Sequence, residues 1–503
     1  MRQPRQPPNS FIMRKPIACF TASLLLAGNL IAQPKPSGPQ QAGDFRKVIL
    51  ESDIKQNNKF IDSLQDPMEL VVGPNGTVFY AQRNGIVRMV PPGEPGIEIA
   101  KVPTFTGLED GMLGITLDPN FAKNKWIYLN RSLPETTKNA SGKKQGVIRV
   151  SRFTLKGAKL DMASEKAIID ITTQREQCCH VGGSLAFDPK GNLVIAVGDN
   201  TNPFHDGSQP KPRNGYSPID ERKGRSPWDA QKSSANANDL RGAILRVKPK
   251  ANGGYTIPEG NLFKPGTKGT RPEIFAMGTR NSYRLGVDQK TGYIYWGDVG
   301  PDARLPNPNY GPAGFDEVNQ ARKAGFFGWP YFVGTNKPYR EYDYAADKAA
   351  PAYDANKPIN NSPNNTGIRE LPPAQPAFIA YPHSFSAHFP VVNPRPGEPG
   401  GRTAMAGPVY YFDTKLKYAH KLPKRFDRTL FIYEWSRNWI IAVKLDADHN
   451  IEKMERFADG LTFKRPMDLE LGPDGCLYAI EWGTGWGKNV DTQIVRIEYT
   501  GKQ

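Results

Sequence analysis

Apolar and polar residues alternate in short runs along most of the chain, and turns rich in glycine, proline and asparagine separate these runs. Alternation with a period of two predicts half-buried β-strands, and no stretch sustains the 3.6-residue period of an amphipathic helix. Five segments share one template, in which an Asp-Pro-x-Gly-like turn joins two apolar runs: 69–85, 114–132, 184–200, 284–300 and 468–485. A sixth segment, 426–446, keeps the strand pair without the proline turn. The pattern therefore predicts six β-hairpins.

Several of these hairpins continue into a third or fourth strand. The additional apolar runs are 85–90, 147–155, 243–249 and 493–500. Units of four short strands that repeat around an axis are propeller blades, and each blade must stack on its neighbours to bury its faces. The sequence thus predicts an all-β chain folded as a six-bladed β-propeller. A pair of β-sandwich domains is the alternative, but no linker divides residues 44–500.

The spacing between the hairpins is uneven, so long insertions must lie between strands. The main ones are expected at 200–240 and 301–400, which are both rich in proline, asparagine, glycine and lysine. We predict long loops there, and loops of this length are usually functional or disordered. The 49 glycines and 46 prolines among 503 residues fit a fold with many turns.

The first 32 residues have the features of a secretory signal peptide. Segment 13–33 has a basic start, an apolar run over 17–27 and the small residue Ala32 before a polar stretch. This apolar run is too short for a membrane span, which needs roughly 20 residues, and no other run approaches that length. We therefore expect a secreted or periplasmic protein without a membrane-spanning segment.

Residues 33–43 are expected to form a flexible linker, and 44–503 the propeller domain. The net charge of +16 falls to +12 without the four basic residues of segment 1–32. Lysine and arginine are spread along the chain without basic runs or interleaved aromatic residues, which argues against nucleic-acid binding. A small polyanionic ligand is still compatible with the sequence because it needs only a few converging cations.

A histidine and an aspartate frame the third hairpin. His180 lies four residues before its first strand, and Asp199 ends its second strand. Ligands of propellers bind at the axial mouth, where loops from all blades meet. There a carboxylate on an adjacent strand can hold an imidazole in one tautomer, as a general base requires. The alternative for His180 is a loop histidine bonded to the backbone, and His205 is expected to be a loop residue that could touch substrate.

Cations recur at the starts of strands in the later repeats. Arg280 and Asn281 precede the fourth hairpin, and Arg402, Lys464 and Arg465 hold comparable positions further on. A guanidinium fork matches a planar carboxylate or quinone edge, and an asparagine can both donate and accept beside it. Together these side chains predict a basic pocket on the axis, whereas Arg280 taken alone could also form a surface ion pair.

Five ordered motifs resemble those of the glucose/sorbosone dehydrogenase family, whose members include soluble quinoprotein sugar dehydrogenases. The motifs cover most of the chain and lie at 109–129, 180–199, 278–288, 311–330 and 465–483. The resemblance implies a six-bladed propeller that binds pyrroloquinoline quinone and calcium and oxidises a hydroxyl-bearing carbon of a sugar. The protein would orient the cofactor and supply the electrostatic environment.

The resemblance also implies a role for each matched residue. His180 matches the general base that takes the hydroxyl proton as hydride passes to the quinone, and Asp199 matches the acid that orients it. Arg280 and Asn281 match the pair that faces the quinone, where Arg280 polarises the carbonyl as negative charge develops.

Other matched positions concern the carboxylates of the cofactor and the metal. Arg465 matches a basic residue on those carboxylates, with Lys464 beside it, and Arg402 falls where a lysine is usual. Gly300 and Pro301 match the backbone carbonyls that ligate calcium, a hard cation suited to oxygen donors. Tyr283, Val299 and the loop after Asp199 depart from the family pattern, so the resemblance does not identify the sugar.

Three cysteines follow the signal peptide: Cys178, Cys179 and Cys476. Adjacent Cα atoms across a trans peptide are about 3.8 Å apart, below the roughly 4.4–6.8 Å that is usual for a disulfide. A Cys178–Cys179 bridge, a bridge from Cys476 to either of them, and three thiols all stay open. Similarity to other quinoproteins implies a bridge between the adjacent pair that lies against the cofactor. No Cys-x-x-Cys-His haem motif occurs, so we expect electrons to leave through a separate acceptor, a cytochrome or a quinone.

Three functions follow from these residues. The leading one is a quinone-dependent sugar or aldose dehydrogenase. A calcium-dependent lactonase-like hydrolase would need acidic side chains on the axis, and Arg280, Arg402 and Arg465 argue against it. A non-catalytic propeller that binds carbohydrate or protein would not require the pairing of His180 with Asp199. The sequence leaves open the identity of the sugar, the electron acceptor and the oligomeric state.

Overall fold

Six sheets follow one another along the chain in a computed structural model, each built mainly of antiparallel strands, and each is one blade of a β-propeller. The structure describes residues 40–56, 59–204, 206–207, 215–485 and 487–502. The predicted signal peptide, most of the predicted linker and His205 lie outside the described residues. The six-bladed, all-β prediction is confirmed.

The first three blades contain strands from the first, second and third predicted hairpins. Blade 1 consists of strands Pro67–Val72, Val78–Gln82, Ile86–Val90 and Ile97–Lys101. Blade 2 consists of Met112–Leu117, Trp126–Ser132, Lys144–Lys156 and Lys159–Gln174, with Thr137–Lys138 at the edge. Blade 3 consists of Gly182–Phe187, Leu193–Val197, Ala243–Pro249 and Ile274–Met277, with Tyr255–Thr256 and Gly325–Phe326 added.

The last three blades complete the ring. Their strands are, for blade 4, Ser282–Val287, Ile294–Asp298, Phe315–Ala321 and Ile379–Pro382; for blade 5, Ala404–Tyr410, Thr429–Glu434, Trp439–Leu445 and Ile451–Arg456; for blade 6, Pro466–Leu471, Leu477–Glu481, Gln493–Tyr499, Phe45–Ser52 and Gln40–Ala42. The first strand of each blade packs beside the first strand of the next, and that of blade 6 packs beside that of blade 1. These six strands line the axis.

An N-terminal strand closes the ring. Phe45–Ser52 pairs with Gln493–Tyr499 in blade 6, and Gln40–Ala42 pairs in turn with Phe45–Ser52. The sequence prediction missed this closure because the strand precedes the first repeat and has no hairpin partner nearby. The end of the expected linker, 33–43, is accordingly a short strand.

Two further expectations need correction. Segment 426–446 supplies the second and third strands of blade 5, because Ala404–Tyr410 comes before them without the template turn. Segment 301–400 is more than a loop, since Phe315–Ala321 and Ile379–Pro382 are blade 4 strands. Segment 200–240 is irregular where described, as expected, with two short 3₁₀ turns.

The remaining described elements are short. They are the helix Phe121–Asn124, the 3₁₀ turns Ser226–Trp228, Ala230–Lys232, Pro390–Val392 and Lys424–Phe426, and the small strand pairs Lys55–Gln56 with Lys59–Phe60, Phe332–Val333 with Lys337–Pro338, and Arg340–Asp343 with Lys348–Ala352. Among the described residues, no helix has the length and apolarity needed to cross a membrane.

A buried arginine ties the blades together on the axis. Arg284, in the first strand of blade 4, donates to the carbonyl oxygens of Met68, Leu113 and Met467, which belong to blades 1, 2 and 6. Glu69 of blade 1 accepts hydrogen bonds from backbone amides of blades 2 and 3. The inner strands are thus joined by side chains as well as by apolar packing.

Candidate active site

The predicted site residues of blades 3 to 6 lie just before the first strand of each blade. They are His180 in blade 3, Arg280 and Asn281 in blade 4, Arg402 in blade 5, and Lys464 and Arg465 in blade 6. Because the six first strands surround one axis and run in the same sense, their starting ends meet at one end of the propeller. We call this end the mouth.

His180 and Asp199 form a hydrogen-bonded pair at the mouth. Nδ1 of His180 lies 2.9 Å from Oδ1 of Asp199, and both side chains are buried. The backbone amide of Thr201 also donates to Oδ1, at 2.9 Å. An ionised Asp199 requires the proton on Nδ1, which leaves Nε2 of His180 as an acceptor. The arrangement is that of an imidazole oriented to take a proton.

Trp329 completes this pair from a distant part of the chain. Its Nε1 donates to Oδ2 of Asp199 at 2.9 Å, so both carboxylate oxygens are engaged. Trp329 is itself buried and lies in the insertion between the third and fourth strands of blade 4. Trp329 lies in the matched motif 311–330, but no role for it was predicted from the sequence. A hydrogen-bonding aromatic residue within that motif was the available signal.

Arg280 connects the pair to the next blade. Its carbonyl oxygen accepts from the amide of Asp199 at 2.8 Å, and its Nη1 donates to the carbonyl oxygen of Val299 at 2.7 Å. Nε of Arg280 is buried and has no hydrogen-bond partner within the described part of the chain. Such a buried donor is costly unless a ligand accepts from it.

Asp298 fixes the backbone on which Arg280 and Asn281 stand. Its carboxylate accepts from the amide of Asn281 at 2.7 Å and from that of Arg280 at 3.0 Å. Burial raises the pKa of Asp298 to about 6, and the two backbone donors act in the opposite direction. The Asn281 side chain also reaches blade 3, where its Oδ1 accepts from the amide of Gly182 at 3.3 Å.

Arg402 makes its contacts at the segment where calcium was expected. Its Nη2 donates to the carbonyl oxygen of Pro301 at 2.7 Å, and its Nη1 lies 3.1 Å from Oδ1 of Asp316. Both oxygens of Asp316 also accept backbone hydrogen bonds, from Gly300 at 3.0 Å and Ala404 at 2.8 Å. The carboxylate therefore holds two loops and one guanidinium together.

These residues do not fit a calcium ion in the arrangement that the structure has. Calcium takes six to eight oxygen ligands, usually with carboxylates among them. The Pro301 oxygen instead accepts a hydrogen bond from the Arg402 guanidinium. Two unit charges of like sign 4 Å apart repel by roughly 4 kcal/mol near a protein surface, and the repulsion between a guanidinium and a divalent calcium ion is about twice that. Among the described residues, no group of three histidine, cysteine, aspartate or glutamate side chains could hold a metal.

Arg465 occupies the blade 6 side of the mouth. Its guanidinium carbon lies 4.2 Å from the ring centroid of Trp435, and its backbone φ of +52° is unusual for a residue with a side chain. Hydrogen bonds to Asn438 and from Trp482 hold that backbone. Burial lowers the pKa of the Arg465 guanidinium. A strained and partly desolvated cation of this kind is typical of ligand sites.

Lys464 differs from its neighbour. Its Nζ lies 3.3 Å from Oδ2 of Asp491, and its side chain is about a quarter exposed. Because of this ion pair, the ammonium group of Lys464 lies at the loop that follows the second strand of blade 6. The Lys464 side chain thus pairs with a residue that was not among the predicted site residues.

The cysteines follow one of the three arrangements left open. Cys178 and Cys179 are joined by a disulfide, with their Cα atoms 3.3 Å apart, and Cys476 is a buried free thiol. The bridge directly precedes His180, and Cys179 is buried with it. Cys476 lies elsewhere, in blade 6, where its Sγ contacts the carbonyl oxygen of His420.

Glu109 is a mouth residue that the sequence analysis did not select. It precedes the first strand of blade 2, and its carboxylate interacts electrostatically with His180 and Arg280. Partial desolvation by the protein groups around it raises the pKa of its carboxyl although the side chain still reaches solvent, and the nearby positive charges act to lower that pKa. Glu109 precedes the first strand of blade 2 as His180 precedes the first strand of blade 3. This shared position is the sequence feature that could have identified it as a site residue.

Comparison with known proteins places these features in context. A family model described as glucose/sorbosone dehydrogenase matches residues 64–363. An uncharacterized protein of Synechocystis is 27% identical over 289 residues, which are 56% of this chain and 60% of that protein. Quinoprotein glucose dehydrogenase B of Acinetobacter calcoaceticus is 22% identical over 463 residues, covering 88% of each chain. The chain thus spans about 60% of the length of the first of these relatives and most of the second.

Two further similarities complete the comparison. Hedgehog-interacting protein of Mus musculus is 24% identical over 270 residues, which are 50% of this chain and 35% of that protein. Among solved structures, the soluble aldose sugar dehydrogenase of Escherichia coli in its apo-form has a TM-score of 0.56 and 19% identity, covering 90% of this chain and 99% of that one. This last likeness supports the propeller fold.

Proposed function

The chain belongs to the glucose/sorbosone dehydrogenase family, and from this premise we propose that it oxidises a hydroxyl-bearing carbon of an aldose-type sugar with pyrroloquinoline quinone as the acceptor. The observation that carries the proposal is the network of His180, Asp199 and Trp329 at the mouth, beside Arg280. With Nδ1 bonded to Asp199, Nε2 of His180 is the nitrogen that would accept a proton, close to the buried Arg280.

The residues around the mouth suit a flat ligand with several carboxylates. Arg280 and Arg402 each have a buried Nε without a hydrogen-bond partner in the described part of the chain, and Arg465 is stacked on Trp435 nearby. The Nε of Arg280 and that of Arg402 can donate to ligand carboxylates, while their Nη groups contact Val299, Pro301 and Asp316. When bound, pyrroloquinoline quinone supplies a carbonyl centre that accepts hydride.

The chain's own residues then have defined tasks. Nε2 of His180 would take the proton from the sugar hydroxyl oxygen, and the carbon that carries this hydroxyl would give its hydride to the bound quinone. Asp199 stabilises the imidazolium that forms, and Trp329 holds Asp199 in position. Arg280 stabilises the negative charge that develops on the acceptor. We expect the disulfide beside His180 to lie against the cofactor.

The location and the onward electron transfer are part of the same proposal. A disulfide between Cys178 and Cys179 is compatible with an oxidising compartment, which supports a periplasmic or secreted protein. Because the sequence has no haem attachment motif, we propose that electrons pass to a separate cytochrome or quinone.

Reconstitution tests the proposal. Purified apo-protein is mixed with the quinone, with and without calcium, and reduction of a dye is followed with a panel of aldoses. We expect turnover with at least one aldose, and His180→Ala should lower kcat by about 10²–10⁴-fold while quinone binding persists. An unchanged kcat in His180→Ala, or a loss of quinone binding by that variant, would contradict the roles assigned here.

A second candidate is a non-catalytic propeller that binds carbohydrate or protein. The observation that favours it is the similarity to Hedgehog-interacting protein over half of this chain. Binding of a sugar or protein without turnover in the same assay would support this candidate. Lactone hydrolysis without the quinone would instead favour a hydrolase.

A further inference from the structure

We propose that the Arg402 guanidinium takes the place of a divalent cation in this site, so that the chain binds its planar polyanionic cofactor without calcium. The inference rests on the proposed function, because it concerns how the same mouth holds the quinone. It starts from the disagreement between the expected calcium ligands and the contacts that the structure forms.

The carbonyl oxygen of Pro301 is enclosed. Nη2 of Arg402 donates to it at 2.7 Å, and a Cβ added to Gly314 would lie 1.5 Å from it. The same Cβ would lie 3.1 Å from Nη2, so the Gly314 backbone packs over both groups. A metal ion at this oxygen would have to displace the guanidinium.

Asp316 makes that displacement unfavourable. It pairs with Nη1 of Arg402 and also accepts from the amides of Gly300 and Ala404. Both Asp316 and Arg402 are buried. If Arg402 moved away, the carboxylate would lose its counter-ion in a desolvated position, and uncompensated buried charges are strongly destabilising.

The segment next to Arg402 has a second cation. Nη1 of Arg280 donates to the carbonyl oxygen of Val299, two residues before Pro301. Segment 299–301 is thus bracketed by two guanidinium groups, each with a buried Nε that has no hydrogen-bond partner in the described part of the chain. The Nε of each group is left to donate to a ligand carboxylate, whereas a calcium ion would need carbonyl acceptors that the Nη groups already occupy.

Equilibrium binding distinguishes the two modes. Apo-protein is titrated with pyrroloquinoline quinone in EDTA and, separately, in calcium, with tryptophan fluorescence and calorimetry as readouts and metal analysis of the complex. We expect the same Kd within about twofold in both buffers and far less than one calcium per chain. A Kd that is at least tenfold higher in EDTA than in calcium, with about one calcium bound per chain in the calcium buffer, would overturn the inference. The proposed function would not be affected.

Variants provide the second test. Arg402→Met should weaken quinone binding in EDTA at least tenfold, and calcium should restore part of it because the Pro301 oxygen is freed. Arg402→Lys, which keeps the charge, should bind better than Arg402→Met in EDTA. The matched control is Arg395→Met, since Arg395 is an exposed residue paired with Asp459. If Arg402→Met binds the quinone in EDTA as tightly as the unmodified protein does, the inference is wrong. If the unmodified protein binds no quinone in either buffer, both the inference and the proposed function are wrong.

Discussion

Nε1 of Trp329 donates a hydrogen bond of 2.9 Å to Oδ2 of Asp199, although 130 positions separate the two residues in the chain. The contact brings an insertion of blade 4 onto a strand end of blade 3. It also leaves Oδ1 of Asp199 for His180. Orientation of the imidazole by Asp199 therefore depends on a residue from another blade.

Trp329→Phe tests this positioning role. The phenyl ring keeps an aromatic face near Arg280, whose guanidinium carbon lies 5.9 Å from the indole, but removes the donor to Asp199. A hydrogen bond to a charged group contributes about 1.5–3 kcal/mol, so we expect kcat to fall about 10- to 100-fold. KM and the Kd of the quinone should change less than about threefold, as measured by steady-state kinetics and fluorescence titration. An effect confined to quinone binding would contradict the role.

Arg465 and Lys464 are adjacent residues with different expected effects. Arg465→Ala removes a desolvated cation stacked on Trp435, and we expect the Kd of the quinone to rise at least tenfold because charge-assisted hydrogen bonds are lost. Lys464→Ala is the matched control, since its ammonium group pairs with Asp491, and the Kd should stay within about threefold. Calorimetry on both variants measures the difference, and equal losses would show that Lys464 also binds the cofactor.

Arg284 is expected to control stability rather than chemistry. Arg284→Met leaves the carbonyls of three blades without their donor and leaves Glu69 and Asp468 without a nearby positive charge. Breaking a buried charge arrangement costs about 3–5 kcal/mol, so thermal and urea unfolding should show a loss of this size. Adding Asp468→Asn to Arg284→Met should recover part of the loss, because the Asp468 carboxylate lies 3.7 Å from the Arg284 guanidinium. Two additive losses would refute the electrostatic explanation.

Glu317 gives the stability of the protein a specific dependence on pH. Burial raises its pKa from about 4.5 to about 8, and its carboxylate accepts from the Gly334 amide and the Asn319 side chain. A raised carboxyl pKa means that the folded state binds the proton more tightly than the unfolded state. Its contribution to stability is therefore full below about pH 4.5 and is lost as pH rises through about 8.

Glu317→Gln keeps a neutral side chain at all pH values. We expect the Tm of the unmodified protein to fall relative to that of Glu317→Gln between pH 5 and pH 9, because each unit of pKa difference is worth about 1.4 kcal/mol. Scanning calorimetry across this range measures the divergence. Glu434 titrates in both proteins and its contribution cancels, whereas the charge of Asp298 helps to raise the pKa of Glu317, so Asp298 contributes to the divergence. Parallel Tm profiles would show that Glu317 is not the group responsible.

Sequence reasoning was most successful where a feature is local. The repeated strand pairs gave the propeller, and His180 and Asp199 were identified because they flank a single hairpin. Trp329 was missed because its contact with Asp199 depends on the path of an insertion more than 100 residues away. Arg402 and Pro301 were each selected separately, but their mutual contact, across 101 positions, could not be read from the sequence. The closing strand was missed for the same reason.

Blade 6 contains strands from both the beginning and the end of the described chain, and this has consequences for biosynthesis. Because Phe45–Ser52 pairs directly with Gln493–Tyr499, the N-terminal strand cannot pair until the C-terminal strand has been synthesised. Such a distant pairing requires the closure of a very long loop, which slows folding. Cleavage of the backbone between residues 53 and 66 would turn strand Phe45–Ser52 into part of a separate peptide. Adding that peptide back should restore its pairing with Gln493–Tyr499 and close the propeller ring.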